Sequence, residues 1–152
     1  MSNPQVTAIH LTEPITVVGK LFQGDYSKSQ QFITEVITEL TSASIPFIQG
    51  KVLGVYYDNP NEKNPEDLVS FQGVFAADPD IKLPNSLQAL QLKGSYLYVK
   101  ATGDIMTSIH EGYGALFSHI SEHNVKLKSP AGYQVTTFEN GTMTTEIYMA
   151  LA

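Results

Sequence analysis

Near the end of the chain, Asn140-Gly141 stands between two runs of strand-forming residues, Gly132-Tyr133-Gln134-Val135-Thr136-Thr137-Phe138-Glu139 and Thr144-Thr145-Glu146-Ile147-Tyr148-Met149-Ala150-Leu151. No other dipeptide constrains the chain as much. A type I′ turn needs positive φ at both central residues, which Asn and Gly tolerate, and its twist suits two paired antiparallel strands. A two-residue loop fixes the register: Phe138 opposes Met143, Thr136 opposes Thr145 and Gln134 opposes Ile147, while Val135 opposes Glu146 and Tyr133 opposes Tyr148. Period two then puts Glu146, Tyr148 and Ala150 on one face and Thr145, Ile147 and Met149 on the other, toward a core. Glu146 is thereby set beside Tyr148, Val135 and Tyr133. Such a face is either a solvated sheet surface, where a Glu costs nothing, or a ligand site. In the second case the rings offer cation–π faces and the carboxylate supplies the counter-charge for an organic cation.

Upstream the chain alternates strand and helix patterns. Pro14-Ile15-Thr16-Val17-Val18-Gly19 reads as a strand, followed by the turn-like Gln23-Gly24-Asp25. From Ser27 to Leu40 the apolar Phe32, Ile33, Val36, Ile37 and Leu40 recur at three and four, which predicts a helix capped by Ser27 or Ser29. Strands are predicted at Val52-Leu53-Gly54-Val55-Tyr56-Tyr57 and at about 68–75, with loop chemistry between them in Asp58-Asn59-Pro60-Asn61-Glu62-Lys63-Asn64-Pro65. Asp78-Pro79-Asp80 and Leu83-Pro84-Asn85 mark a connection in mid-chain.

The order then repeats. Residues 91–101 hold a strand in which Tyr96, Tyr98 and Lys100 share a face. Asp104 caps a second helix with the stripe Ile105, Met106, Ile109, Tyr113, Leu116, Phe117 and Ile120, broken by Gly112 and Gly114, and the hairpin follows. The chain is thus expected to be α+β, a single domain over 1–152 built of two tandem β-α-β-β modules at about 12–78 and 88–152. The modules are related by a pseudo-twofold axis, with an antiparallel sheet, two helices packed on one side and a groove between modules.

Composition removes whole classes of function. Zero Cys excludes disulfides, thiol catalysis and thiolate metal sites. Nine basic residues against fifteen acidic ones, a net charge of −6 with no basic patch, argue against direct nucleic-acid binding. No apolar run is long enough to span a bilayer, so no membrane association is expected, and Met1-Ser2-Asn3-Pro4-Gln5 lacks the features of a secretory signal, which predicts a cytoplasmic protein. His119 and His123 stand at i and i+4 on the second helix, but without a third ligand or the zinc-protease order, so no metal and no cofactor are expected. His110 and Glu111 are adjacent on that helix and point apart, which excludes a shared substrate atom.

Val55-Tyr56-Tyr57-Asp58-Asn59-Pro60 with Pro65-Glu66-Asp67, the Gly103-Asp104 helix opening, Tyr113, and the closing Thr145-Glu146-Ile147-Tyr148 together resemble the GyrI-like small-molecule-binding domain, the effector-binding domain of bacterial transcription activators. The resemblance runs over nearly the whole chain. It implies two β-α-β-β modules around a groove, and a Glu matching Glu146 that meets cationic or polar ligands. Read this way, the chain is a stand-alone effector-binding protein, a monomer or a dimer, holding a small amphipathic cationic or polar aromatic molecule. Glu146 is the anchor, and Tyr148, Tyr133, Tyr56 and Tyr98 are the candidate walls. Two alternatives follow from the same family. One is a hydrolase of small reactive molecules with Glu146 as catalytic general base; the other is a gyrase-inhibitor-like protein whose acidic surface binds a protein partner.

Overall fold

A computed structural model describes residues 4–78 and 80–152. Met1, Ser2 and Asn3, which belong to the segment read for a secretory signal, Pro79 in the expected mid-chain turn, and the side chain of Ile105 in the expected helix stripe lie outside what is described. Eight elements follow in order: strand β1 (Thr7–Gln23), helix α1 (Ser29–Ser42), β2 (Phe47–Tyr56), β3 (Val69–Ala76), β4 (Gln88–Thr102), α2 (Ile105–His123), β5 (Gly132–Glu139) and β6 (Thr142–Ala150). This is the α+β arrangement of two β-α-β-β modules, with every strand pair antiparallel. Among the described residues, no helix is long and apolar enough to cross a membrane.

The strand order β1-β3-β2-β5-β6-β4 returns on itself through β1 and β4, so the sheet closes into a barrel. Exchanging β1 with β4, β2 with β5 and β3 with β6 reproduces the same order, which is the pseudo-twofold relation. Both seams, β2 with β5 and β1 with β4, lie between modules. Closure depends on lengths that the sequence pattern understates: β1 was expected at 14–19 and runs from Thr7, extending its pairing along β4. The register shifts between Leu11 and Ile15, where Glu13-Pro14 falls. A Pro cannot donate to the ladder, and an irregularity takes it out of the pairing.

The helix starts carry a trace of the duplication. Gly24-Asp25 and Gly103-Asp104 both follow the long first strand of a module, both glycines have positive φ (151° and 118°), and both Asp side chains accept a backbone N–H. Asp104 caps α2 through the Thr107 N–H, as expected. In module one Asp25 caps a short 3₁₀ turn, Tyr26–Lys28, and α1 begins behind it at Ser29, not at Ser27.

Both helices pack on the outer face of the sheet. Val36 and Leu40 of α1 lie against Val18 and Val74, and Leu116 of α2 lies against Leu97, Val99, Ile147 and Met149. The α2 stripe is rotated from the expected one. Met106 and Phe117 are exposed, whereas Ser108, Gly112 and Leu116 are buried. A Cβ on Gly112 would come within 2.7 Å of Ile147 Cδ1, so the missing side chain is what lets the helix axis approach the sheet. A third cluster, of Val17, Leu53, Val55, Phe71, Phe75, Leu92, Ala131 and Val135, contains no helical residue and lies on the inner face of the sheet, with the half-buried Tyr133 and Tyr148 packed against it.

Candidate functional site

The terminal hairpin turns at Asn140 and Gly141, with φ of 51° and 76°, and holds the register read from the turn: Tyr133 faces Tyr148, Val135 faces Glu146 and Phe138 faces Met143. On its other side β6 pairs with β4, which places Tyr98 opposite Tyr148 and Lys100 opposite Glu146. Alternation along each strand sends Tyr133 and Val135, Glu146 and Tyr148, and Tyr96, Tyr98 and Lys100 to the interior face, away from both helices. Ile147 and Met149 go to the α2 side and are buried there.

Glu146 is half-buried, and its Oε2 accepts a hydrogen bond of 2.5 Å from the Tyr98 hydroxyl. Around it the rings form a chain of edge-to-face contacts. Tyr98 meets Tyr148 at 5.1 Å between centroids, Tyr148 meets Tyr96 at 5.8 Å, and Tyr96 meets Tyr133 at 6.0 Å. Burial, reinforced by the hydrogen bond to Glu146 and its charge, raises the Tyr98 pKa. Burial and then the same carboxylate push Tyr148 up to about 12, and burial raises Tyr133. At neutral pH these hydroxyls are therefore donors and acceptors, never anions.

Tyr96 joins this chain of rings although it is not among the walls expected from the sequence. It is the most buried of the four, its hydroxyl donating to the Lys93 carbonyl at 3.1 Å and accepting from the Lys93 N–H at 3.0 Å. The strand period gave its face, but only the ring contacts show that it links Tyr133 to Tyr148.

Tyr56 does not join this group. Val55 is the β2 residue opposite Tyr133, so Tyr56 falls on the helix side, where its hydroxyl donates to Ser29 Oγ at 3.0 Å and its ring meets Tyr26 edge-on. There it belongs to a network at the start of α1. Gln72, fully buried, donates to Ser29 and Ser70, and Tyr113 lies over Gly132 and accepts a hydrogen bond from Gln134 at 2.8 Å. Tyr56, expected as a wall, therefore lies on the opposite face of the sheet from Glu146 and ties α1 to the sheet.

Other constellations offer less. The rings of His119 and His123 lie 4.4 Å apart, tilted by 44°, but among the described residues no three His, Asp or Glu come together in a way that could hold a metal. Two open depressions on the outside, of about 610 and 590 Å³, are lined by Asn61 to Asn64 with Asp67 and by exposed side chains of α1 with Lys20. Neither contains Glu146. The first is lined by polar and charged loop residues, the second by the aliphatic parts of polar side chains.

The sequence matches the GyrI-like small molecule binding domain over residues 6–152, and the chain belongs to that family. Among proteins of curated function, none matches. The crystal structure of the EcmrR C-terminal domain is similar with a TM-score of 0.74 at 14% identity, covering 98% of each chain. EcmrR in a cryo-EM structure of its DNA complex matches at 0.71 and 16% identity, over 97% of this chain and 57% of that one, so this chain spans little more than half the length of that relative. A hydrolase from Listeria innocua matches at 0.64 and 6% identity, over 100% of this chain and 94% of its own. SAV2435 bound to tetraphenylphosphonium matches at 0.57 and 14% identity, over 99% and 94%. At these identities the likeness is one of fold.

Proposed function

We propose that the interior face around Glu146 is a receptor for a small amphipathic organic molecule, cationic or polar aromatic, with Glu146 as the electrostatic anchor and Tyr98, Tyr133 and Tyr148 as aromatic walls. The observation that carries this reading is a single half-buried carboxylate set among rings whose hydroxyls stay neutral. A cation there gains ring quadrupoles and a counter-charge together. Membership of a small-molecule-binding family supports the reading, and a relative of the same fold was solved with tetraphenylphosphonium, a lipophilic cation. The test is a fluorescence titration with cationic dyes. Glu146→Gln is expected to weaken binding by about 1–3 kcal/mol, the cost of a lost charge-assisted contact. Equal affinities for the two proteins would remove Glu146 as anchor.

A second reading, hydrolysis of a small reactive molecule with Glu146 as general base, is favoured by one contact. A carboxylate fixed by a phenol donor through one oxygen leaves the other free to accept a proton from water, and a relative named as a hydrolase shares the fold. Turnover of a panel of strained or ester-bearing electrophiles decides it. Consumption at the same background rate by wild type and Glu146→Gln would leave the receptor reading alone.

A further inference from the structure

The interior face carries opposite charges side by side. Lys100 is the direct cross-strand partner of Glu146, and opposed residues of this kind hold their Cβ atoms about 4.5–5.5 Å apart, within reach of an ion pair. Yet the carboxylate takes its hydrogen bond from Tyr98, and Lys100 is exposed. Among the described residues the ion pairs are Lys20 with Glu39 and Lys63 with Asp58. Lys51 of β2, two strands from β6, is engaged over the Phe75 ring at 4.5 Å. A cation seated at Glu146 therefore has an ammonium one strand away, while the hydroxyls of Tyr98, Tyr133 and Tyr148 stay neutral.

We propose that Lys100 is a specificity-determining residue of this site: it disfavours ligands that carry positive charge alone and selects zwitterions whose anionic group lies about one strand spacing, roughly 5 Å, from the cationic centre. The proposal rests on the reading of Glu146 as the anchor. The geometry suits it because the two residues are directly paired on adjacent strands of the same face and yet form no ion pair with each other. A ligand with both charges satisfies both, whereas a lone cation satisfies one and is repelled by the other. Two like charges about 6 Å apart in a water-like medium change an equilibrium roughly threefold, which sets the scale of the effect.

The experiment uses two matched probes, benzyltrimethylammonium and the sulfobetaine benzyldimethylammoniopropanesulfonate, titrated against tyrosine fluorescence at low salt. Wild type is expected to prefer the sulfobetaine. Lys100→Gln should tighten the simple cation and weaken the sulfobetaine, each by about threefold. Lys100→Arg should keep the wild-type preference. An unchanged preference in Lys100→Gln, with both probes weakened by Glu146→Gln, overturns the role of Lys100 and leaves the anchor standing. Binding of neither probe to wild type, or affinities indifferent to Glu146→Gln, overturns the anchor and this proposal with it.

Discussion

The Tyr98 hydroxyl meets the Glu146 carboxylate at 2.5 Å, although the β4 residue directly across from that carboxylate is Lys100. A neutral donor thus holds the acid in place while a cation two residues along the same strand remains exposed.

Removing that donor tests how firmly the acid is held. Tyr98→Phe keeps the ring contact with Tyr148 and deletes one charge-assisted hydrogen bond, so it should lower stability by about 1–2 kcal/mol, less than a fully buried case because Glu146 can recruit water. Glu146→Gln should cost less, since its amide oxygen still accepts from Tyr98. Matching urea midpoints for wild type and Tyr98→Phe would show that the contact contributes nothing net.

Alkaline pH should expose the tyrosine cluster. Six of the eight tyrosines, at positions 26, 57, 98, 113, 133 and 148, have pKa values raised in the fold, chiefly by burial, with Tyr113 and Tyr148 pushed up to about 12. A group raised on folding contributes stability that is whole below its unfolded value, near 10, and is lost as pH climbs through the folded value. Tyrosinate absorbance followed together with circular dichroism should show most phenols ionising late and in step with unfolding between about pH 10 and 12. Ionisation of all eight near pH 10 with the fold intact would contradict the burial described.

The two faces of the sheet should separate in mutants. Tyr56→Phe deletes the bond to Ser29 on the helix side and should destabilise the protein by about 1 kcal/mol while leaving ligand affinity as it was. A clear loss of affinity at unchanged stability would place the ligand on the helix side instead.

Gly132 tests packing across the same helix-side surface. A Cβ there would lie 2.0 Å from the Tyr113 hydroxyl, so Gly132→Ala has to displace that ring and break its hydrogen bond with Gln134. A cost of about 1–3 kcal/mol is expected. It should shrink when Tyr113 is already Ala; strict additivity of the two changes in denaturation experiments would mean that the clash relaxes elsewhere.

How far the fold can be read from the chain depends on how local its determinants are. Asn140-Gly141 dictates its own geometry, and the register of Val135 with Glu146 and of Tyr133 with Tyr148 follows from it without reference to any other strand. The face of Tyr56 was not legible because it depends on which β2 residue meets Tyr133, a pairing between positions almost eighty residues apart. The α2 stripe was misread for a different reason. Apolar periodicity counts large side chains, and here Ser108 and Gly112 face the sheet because the helix sits close, leaving Met106 and Phe117 outside. Barrel closure was hidden by Glu13-Pro14, which look like the end of a strand and are an irregularity within one.

That closure also governs what half of the chain can do. Each module brings three strands, and both of its outer strands complete their ladders only with the opposite module. Severed between β3 and β4, each fragment would present two open edges with unpaired N–H and C=O groups, the kind of edge that templates association with another chain. Mixed together, the fragments offer one another matching edges on both sides; kept apart, the edges of each are left for further copies of the same fragment.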